Sequence, residues 1–174
     1  KIMNSAIFSR EVVKKLMFFS CEMPHQMELV HINPIITDAI TLLKPSFGKK
    51  GLQCHLKFSE DDISLRVDAI QLTQVVFNLV INAIYFSPQN GQITVDISNQ
   101  QKELVLRISD EGIGIPKEIS EFIFHPFYTT KPVGEGSGLG LSVVHGIVKS
   151  HRGTIKHTTN KPKGTTFTLT FPKI

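Results

Sequence analysis

Two asparagines, Asn78 and Asn82, stand four residues apart in an otherwise apolar stretch of the sequence. If that stretch is helical, both amides lie on the same face, one turn apart. Asparagine is a poor helix former, and burying its amide without a hydrogen-bond partner costs about 1–3 kcal/mol. Two amide oxygens suit a hard cation such as Mg²⁺, which prefers oxygen ligands and bridges the phosphates of a substrate. The alternative interpretation is a pair of amides that hydrogen-bond a neighbouring strand.

A single carboxylate, Asp110, follows a strand-like segment and precedes two glycines, Gly112 and Gly114. A carboxylate at the end of a buried strand can accept a hydrogen bond from an exocyclic amine, such as that of adenine. Glycines at these positions permit unusual backbone angles or the close approach of a ligand. A tight turn with a solvated aspartate is the alternative.

Four alternating glycines, Gly134, Gly136, Gly138 and Gly140, lead directly into a segment with helical periodicity. Backbone N–H groups can approach an anion there, and the dipole at a helix N-terminus favours negative charge. The segment matches neither the Walker A pattern nor the G-x-G-x-x-G spacing, so it is not one of those phosphate loops. A flexible linker is the alternative interpretation.

An aromatic segment with two prolines, over residues 122–132, lies between the Asp110 turn and the glycines. Such a composition describes a loop that can fold over a site and reopen. Lys131 lies in this segment, where its ammonium group can meet a terminal phosphate. The phenylalanines can also pin the loop to the core, and the two interpretations are compatible.

The elements that position these groups follow from the hydrophobic periodicity. Asn33 and Pro34 are typical of a helix start, and Asp68 is typical of an N-cap. We predict helices over about 34–48, 69–86 and 139–150, and strands over about 52–58, 63–67, 92–98, 103–109, 153–159 and 165–171. Paired strands separated by single helices predict an α+β fold, with one mixed sheet and the helices on one face.

Residues 1–23 form a further predicted helix, whose apolar residues recur at steps of three or four until Pro24. Little of the nearby sequence can cover its apolar face. We therefore interpret residues 1–23 as the end of a longer helix from a preceding module, and residues 24–174 as one compact domain. An ordinary N-terminal helix of the same domain is the alternative.

The charge balance is basic, with 19 lysines and arginines against 15 acidic residues in a chain of 174. No acidic residue follows Glu135. Nucleic acid is a common partner of basic proteins, but no helix-turn-helix, RNA-recognition or zinc-finger pattern is present, and we expect no nucleic-acid partner. A solvated face accounts better for the late lysines, although part of the charge can attract an anionic ligand.

The cysteine count and the apolar runs bear on the cellular compartment. Two cysteines, Cys21 and Cys54, are too few for a disulfide framework, and we expect reduced thiols in a cytoplasmic protein. No uninterrupted apolar run approaches the roughly 18 residues that a membrane span needs.

Taken together and in this order, these groups resemble the ATP-binding catalytic domain of sensor histidine kinases, over about residues 28–172. The sequence is similar to the family's N box at Asn78–Asn82, its G1 box at Asp110–Gly114, its F box at Phe124–Phe127, its G2 box at Gly136–Gly140 and its closing Gly-Thr at Gly164–Thr165 before Phe167. The resemblance implies a Bergerat-type α/β sandwich, shared with the gyrase B, Hsp90 and MutL ATPases, with about three helices on the sheet.

The resemblance also implies a role for each matching residue. Asn82 is similar to the Mg²⁺ ligand, with Asn78 beside it as a catalytic residue. Asp110 resembles the residue that binds the adenine amine. Lys131 is a second catalytic candidate, at the γ-phosphate. The other implied ATP contacts are Phe86, Gly112, Gly114, Ile115, Phe127, Gly136, Ser137, Gly138, Leu139, Gly140, Leu141 and Thr165.

Two positions depart from the family pattern. Tyr85 stands where the family often has lysine, and His125 stands where an acidic residue commonly precedes the proline. None of the seven histidines has the sequence context of a phosphate acceptor. We therefore expect the acceptor histidine upstream, on the dimerisation module, and no autophosphorylation by this chain alone.

The function implied by the resemblance is a protein-histidine kinase. Its domain binds Mg²⁺–ATP and donates the γ-phosphoryl group to a histidine of the dimerisation and phosphotransfer domain, for onward transfer to an aspartate of a response regulator. The expected parent is a homodimer, cytoplasmic or membrane-anchored, and the domain itself is a monomer or weak dimer. The alternative is an ATPase of the same superfamily that drives conformational change. Those ATPases usually have a water-activating glutamate at the position of Asn78, and its absence disfavours this alternative.

Overall fold

A computed structural model describes residues 26–59, 63–160 and 162–173 of the chain. The predicted helix over residues 1–23 and Cys21 lie outside the described residues. In chain order the elements are β1 (Glu28–His31), α1 (Ile32–Gly48), β2 (Gln53–Phe58), β3 (Ser64–Val67), α2 (Ala69–Phe86), β4 (Gln92–Asn99), β5 (Glu103–Asp110), a 3₁₀ turn (Lys117–Ile119), α3 (Gly140–Ser150), β6 (Thr154–Thr159) and β7 (Thr165–Pro172).

The main sheet has five strands in the order β2-β4-β5-β7-β6. β2 runs parallel to β4, and the other neighbouring pairs are antiparallel. Helix α2 packs against β5, α1 and α3. The predicted α+β architecture, with a mixed sheet and three helices, is therefore confirmed.

One pair of strands lies outside that sheet. β1 and β3 form a separate two-stranded antiparallel sheet, in which Glu28 pairs with Val67 and His31 with Ser64. β3 was predicted from the sequence, but as part of the mixed sheet, and β1 was not predicted. The segment Glu28–His31 has only four residues, three of them exposed, so its own pattern carries no strand signal.

The start of α1 differs from the prediction, whereas the start of α2 matches it. Helix α1 begins at Ile32, because β1 runs straight into it and the Ile32 N–H donates to the carbonyl of Ile63 at 2.9 Å. Asn33 is thus already helical, and its side-chain Oδ1 is buried without a partner. Asp68 caps α2 as predicted, since its Oδ1 accepts from Ile70 N at 3.0 Å and Gln71 N at 3.1 Å.

The core lies between the helices and the inner face of the sheet. Alternate residues of β5, including Leu104, Leu106 and Ile108, are buried, as the period of a strand requires. By length and composition alone, helix α2 is long and apolar enough to cross a membrane. In the structure its apolar residues instead cover the sheet, at Leu72, Val75, Val76, Leu79, Val80 and Ala83.

Cys54 lies on β2 and is half-buried. It is a free thiol, as predicted, and burial raises its pKa to about 11. The thiolate form is therefore disfavoured at neutral pH, which makes this cysteine a weak nucleophile.

Candidate functional site

A cavity of about 480 Å³ opens between α2, the long loop after β5, the start of α3 and the start of β7. Most of the site residues expected from the sequence line it, although they come from distant parts of the chain. Those that line it are Asn78, Asn82, Phe86, Asp110, Gly114, Ile115, Lys131, Gly136, Ser137, Gly138, Gly140, Leu141 and Thr165. Gly112, Phe127 and Leu139 do not line it.

Asp110 closes one end of the cavity at the last residue of β5. Its side chain is buried, and its Oδ1 accepts hydrogen bonds from Gly112 N at 2.8 Å and Thr165 N at 3.1 Å. Burial raises the pKa of Asp110, and the two hydrogen bonds oppose this rise. Both bonds end on the same oxygen, which leaves Oδ2 for a donor from a ligand. The alternative of a solvated aspartate in a turn is wrong.

The backbone around Asp110 is tightly packed by glycines and an asparagine. A Cβ at Gly112 would lie 2.8 Å from both Asp110 Oδ1 and the carbonyl oxygen of Phe86. A Cβ at Gly164 would overlap the Asp110 carbonyl. Asn160 donates to that carbonyl at 2.9 Å, a contact the sequence analysis missed. Gly112 therefore contributes through close backbone packing against the cavity wall.

The two asparagines of α2 lie at the other end of the cavity. Asn78 Nδ2 donates to Gln74 O within the helix, at 3.0 Å, and its Oδ1 faces Gly140, where a Cβ would lie 3.2 Å away. Asn82 Oδ1 accepts from Lys131 Nζ at 2.9 Å. The alternative of hydrogen bonds to a neighbouring strand is not what the structure shows. The amide oxygen of Asn82 instead binds a cation, the ammonium group of Lys131.

Tyr85 and Glu135 complete this end and were not predicted as site residues. The Tyr85 hydroxyl donates to Glu135 Oε2 at 2.5 Å. This hydrogen bond raises the pKa of Tyr85, with smaller contributions from burial and from the Glu135 charge. The ammonium of Lys131 lies 4.3 Å from the centre of the Tyr85 ring and 5.4 Å from that of Phe86. Tyr85 and Glu135 are 50 residues apart, and no local pattern pairs them.

The glycine-rich segment packs on the aromatic loop. Gly138 has φ +68°, and a Cβ there would overlap the backbone of Phe127. Phe127 itself has φ +66°, a rare value for a bulky residue, and its ring is exposed. Leu139 is buried. Phe127 and Leu139 therefore shape the loop rather than line the cavity.

The middle of the cavity is largely apolar, and sequence reasoning missed most of that part. The lining residues that were not expected include Ile81, Ala83, Ile113, Pro116, Ile119, Ile123, Tyr128, Thr129, Thr130 and Phe167. The polar lining residues include Asp110, Thr165, Asn78, Asn82 and Lys131. Such a cavity suits a flat, apolar ring with an amine at one end and an anionic group at the other.

The donor set at Asn78 and Asn82 fits a cation that is bound only in part by protein. Within the described residues there is no group of three or more histidine, cysteine or acidic side chains that could hold a metal ion. Mg²⁺ commonly takes one or two protein oxygens, several waters and the phosphates of its substrate. The ammonium on Asn82 Oδ1 shows that this oxygen accepts a positive charge.

Comparison with known proteins agrees with this geometry. Residues 67–174 match the family described as histidine kinase-, DNA gyrase B- and HSP90-like ATPase. Sensor kinase CckA of Brucella abortus is 32% identical over 188 residues, covering 99% of this chain and 20% of that protein. Sensor histidine kinase ZraS of Escherichia coli is 37% identical over 148 residues, covering 84% of this chain and 31% of ZraS. The chain thus spans about a fifth to a third of these relatives.

Solved structures are similar over most of the described fold. The catalytic domain of histidine kinase ThkA, in a nucleotide-free form, has a TM-score of 0.76 at 27% identity, over 85% of this chain and 97% of that one. A structure of ThkA in complex with the response regulator TrrA has a TM-score of 0.82 at 27% identity, over 99% of this chain and 49% of that one. The chain therefore belongs to the family of histidine kinase-, DNA gyrase B- and HSP90-like ATPases.

Proposed function

We propose that this domain binds Mg²⁺–ATP and acts as the catalytic domain of a protein-histidine kinase. It would transfer the γ-phosphoryl group to a histidine on a separate or upstream module, for onward transfer to a response regulator aspartate. The observation that carries the proposal is the cavity itself, which joins the Asp110 carboxylate, an apolar middle and the Asn82–Lys131 pair in one space.

The Asp110 end supports adenine binding. Asp110 Oδ2 can accept a hydrogen bond from the exocyclic amine, since Oδ1 is already held by Gly112 and Thr165. Phe86 and the apolar lining can cover the faces of the purine ring. A carboxylate oxygen on the cavity wall with no protein donor of its own selects a ligand that carries an amine at that point.

The Asn82 end supports triphosphate binding. Asn82 Oδ1, with Asn78 beside it, would hold the metal, and Lys131 would contact the γ-phosphate. When bound, the metal neutralises charge on the phosphate oxygens. The glycines before α3 would bring backbone N–H groups toward the phosphates, where the helix dipole adds a favourable field.

Phosphoryl transfer needs mainly positioning and charge stabilisation, and these residues can provide both. The phosphorus–oxygen bond to ADP breaks as the acceptor histidine nitrogen bonds to the γ-phosphorus, and ADP leaves with the electron pair. Asn78 has no basic group to activate water, which favours transfer to a histidine over hydrolysis. The ATPase alternative would gain support from multiple-turnover hydrolysis by the isolated domain.

The acceptor is proposed to lie on the dimerisation and histidine phosphotransfer domain of the parent protein. Among the described residues, His151 is buried and hydrogen-bonded, and His145 and His157 pack on the ring of Phe124. Three further described histidines, His31, His55 and His125, are exposed, but none of the seven histidines of the chain has the sequence context of a phosphate acceptor. The further proposed features are a cytoplasmic location for the domain, a homodimeric parent and a response regulator as partner, the last supported by the ThkA–TrrA complex.

Calorimetry with ATP, with and without Mg²⁺, tests the binding step. We expect Asp110→Ala to weaken binding under both conditions and Asn82→Ala to remove most of the Mg²⁺ dependence. Gln101→Ala, on the exposed β4–β5 turn, is the matched control and should bind like wild type. Wild-type affinity in both cavity variants would contradict the proposal.

The transfer step needs the acceptor module. With that module supplied in trans, we expect acid-labile phosphohistidine to form from ATP, and its formation to be lost in Asn82→Ala. Release of inorganic phosphate without phosphohistidine would support the ATPase instead.

A further inference from the structure

Tyr85 holds two charged residues of the loop against helix α2. It lies in the last turn of α2, three residues after Asn82. Its hydroxyl donates to Glu135 Oε2, and its ring lies 4.3 Å from the Lys131 ammonium. Two groups of the Tyr85 side chain, its hydroxyl and its ring, thus hold the loop that carries Lys131 and Glu135 against α2.

Lys131 is held in a defined position by its surroundings. Its ammonium donates to Asn82 Oδ1 at 2.9 Å, on the side of the site where a metal ion would bind. Its stem runs along Gly136, where a Cβ would lie 3.1 Å from the Lys131 Cβ and Cδ. An amide oxygen, an aromatic face and a glycine are therefore among the groups that fix where this cation lies.

A second lysine lies near the same ring but has a different role. Lys50 Nζ, 6.0 Å from the Tyr85 ring centre, donates to the carbonyls of Ile84, Tyr85 and Ser87 at 2.9, 2.7 and 3.0 Å. Three such bonds at a helix C-terminus fix Lys50 in place. Lys131 instead donates to Asn82 Oδ1, an oxygen of the proposed metal site.

The metal ion and Lys131 require the same oxygen. Mg²⁺ coordinates an oxygen at about 2.1 Å, and an ammonium at hydrogen-bond distance from that oxygen would repel it. Lys131 must leave Asn82 Oδ1 before a metal can bind there, and the phosphates of the arriving nucleotide offer it a new partner.

We propose that Tyr85 is a positioning residue that holds Lys131 on Asn82 as an internal cation, released toward the phosphates when metal-bound nucleotide enters. This inference rests on the proposed function. It also gives a role to the position where the family often has lysine: Tyr85 supplies no charge itself but holds a cation that comes from another part of the chain.

The coupling between Mg²⁺ and ATP tests the role of the ring. It is measured as the Kd of a fluorescent ATP analogue in EDTA divided by its Kd in saturating Mg²⁺, for wild type, Tyr85→Phe, Tyr85→Leu and Tyr85→Ala. Without the ring, Lys131 competes less well for Asn82. We therefore expect this ratio to rise about three- to tenfold in Tyr85→Leu and Tyr85→Ala, as loss of a cation–π contact implies. Tyr85→Phe keeps the ring and should stay within about twofold of wild type.

A merely structural role for Tyr85 would shift both Kd values in parallel and leave the ratio unchanged, which would overturn the inference. A ratio in Tyr85→Phe that rises as much as in Tyr85→Leu would also overturn it. If the wild type binds no ATP analogue, the proposed function fails first and the inference with it. Tyr85→Leu keeps apolar volume, so the test does not depend on the alanine variant folding.

Hydrogen exchange tests the role of the hydroxyl. In nucleotide-free protein, Tyr85→Phe and Glu135→Gln should both speed amide exchange over residues 131–137, because each weakens the contact between loop and helix. Exchange over the exposed β4–β5 turn at 100–102 should not change. Unaltered exchange over 131–137 in both variants would show that the hydroxyl does not fasten the loop.

Discussion

The backbone N–H of Thr165 donates a 3.1 Å hydrogen bond to Asp110 Oδ1, joining the first residue of β7 to the last residue of β5. Gly112 N donates to the same oxygen at 2.8 Å. The carboxylate that faces the cavity is therefore oriented by the backbone on both sides, and its Oδ2 is the oxygen left to accept from a ligand in the proposed function.

This orientation predicts the effect of Asp110→Asn on nucleotide affinity. An asparagine would keep its Oδ1 on the two N–H donors, so its Nδ2 amide would face the amine of adenine as a second donor. We expect ATP affinity to fall at least about tenfold, the usual cost of a lost hydrogen bond to a charged group. Fluorescence titration measures this, with circular dichroism to verify the fold. An affinity within twofold of wild type would show that Oδ2 does not bind the ligand.

The raised pKa of Asp110 predicts a pH dependence of stability. The folded state binds the Asp110 proton more tightly than the unfolded state does, so the stability that this proton provides is full below the ordinary pKa of 3.8 and is lost as pH rises through the folded pKa. We expect the free energy of unfolding of Asp110→Asn, relative to wild type, to increase as pH rises above the ordinary value of 3.8, and then to level off above the folded pKa.

Denaturant titrations of both proteins at a series of pH values provide this measurement. The other carboxylates titrate alike in the two proteins, so the difference isolates Asp110. A difference that is flat with pH, or that falls as pH rises, would mean that the burial of Asp110 is offset by its hydrogen bonds.

The packing at Gly164 predicts a large loss of stability for Gly164→Ala. Gly164 has φ +115°, which other residues rarely adopt, and a Cβ would overlap the carbonyl of Asp110. We expect a loss of at least about 2 kcal/mol in the free energy of unfolding.

Gly146→Ala is the matched control. Gly146 is exposed in α3, and a Cβ added there would meet no atom within 4 Å beyond its neighbours in the helix backbone, so alanine should stabilise the helix by about 0.5–1 kcal/mol. Equal denaturation midpoints for the two variants would contradict the packing at Gly164.

The N-cap of α2 predicts a smaller effect on the helix that carries both asparagines. Asp68→Ala removes the acceptor for the Ile70 and Gln71 N–H groups and should cost about 1 kcal/mol. Asp68→Asn keeps an acceptor oxygen and should stay within a few tenths of wild type, about 0.3 kcal/mol. Chemical denaturation compares the three proteins. If Asp68→Asn lost as much stability as Asp68→Ala, the effect would come from the charge of Asp68 and not from its acceptor oxygen.

Local pattern was sufficient for most of the fold. The bounds of α2 were predicted to the residue, because Asp68 is a strong cap and Ser87–Pro88 is a strong stop. The mixed sheet followed from alternation in strands such as β5. Strand β1 was missed because it is four residues long and largely exposed, and it is a strand only because Ser64–Val67 pairs with it.

The candidate site also has one part that the sequence predicts and another that depends on the tertiary structure. The sequence by itself determined which groups carry the chemistry, since Asn78, Asn82, Asp110 and the glycines are recognisable by type and spacing. Only the tertiary structure decided how they meet. Lys131 lies on Asn82, 49 residues away, Tyr85 bonds Glu135 50 residues away, and His151 Nε2 accepts from the N–H of Asp68 83 residues away. The spacing of residues along the chain indicates which of them share a face of a helix or a strand. Contacts between distant segments depend on how those faces pack, which no local pattern records.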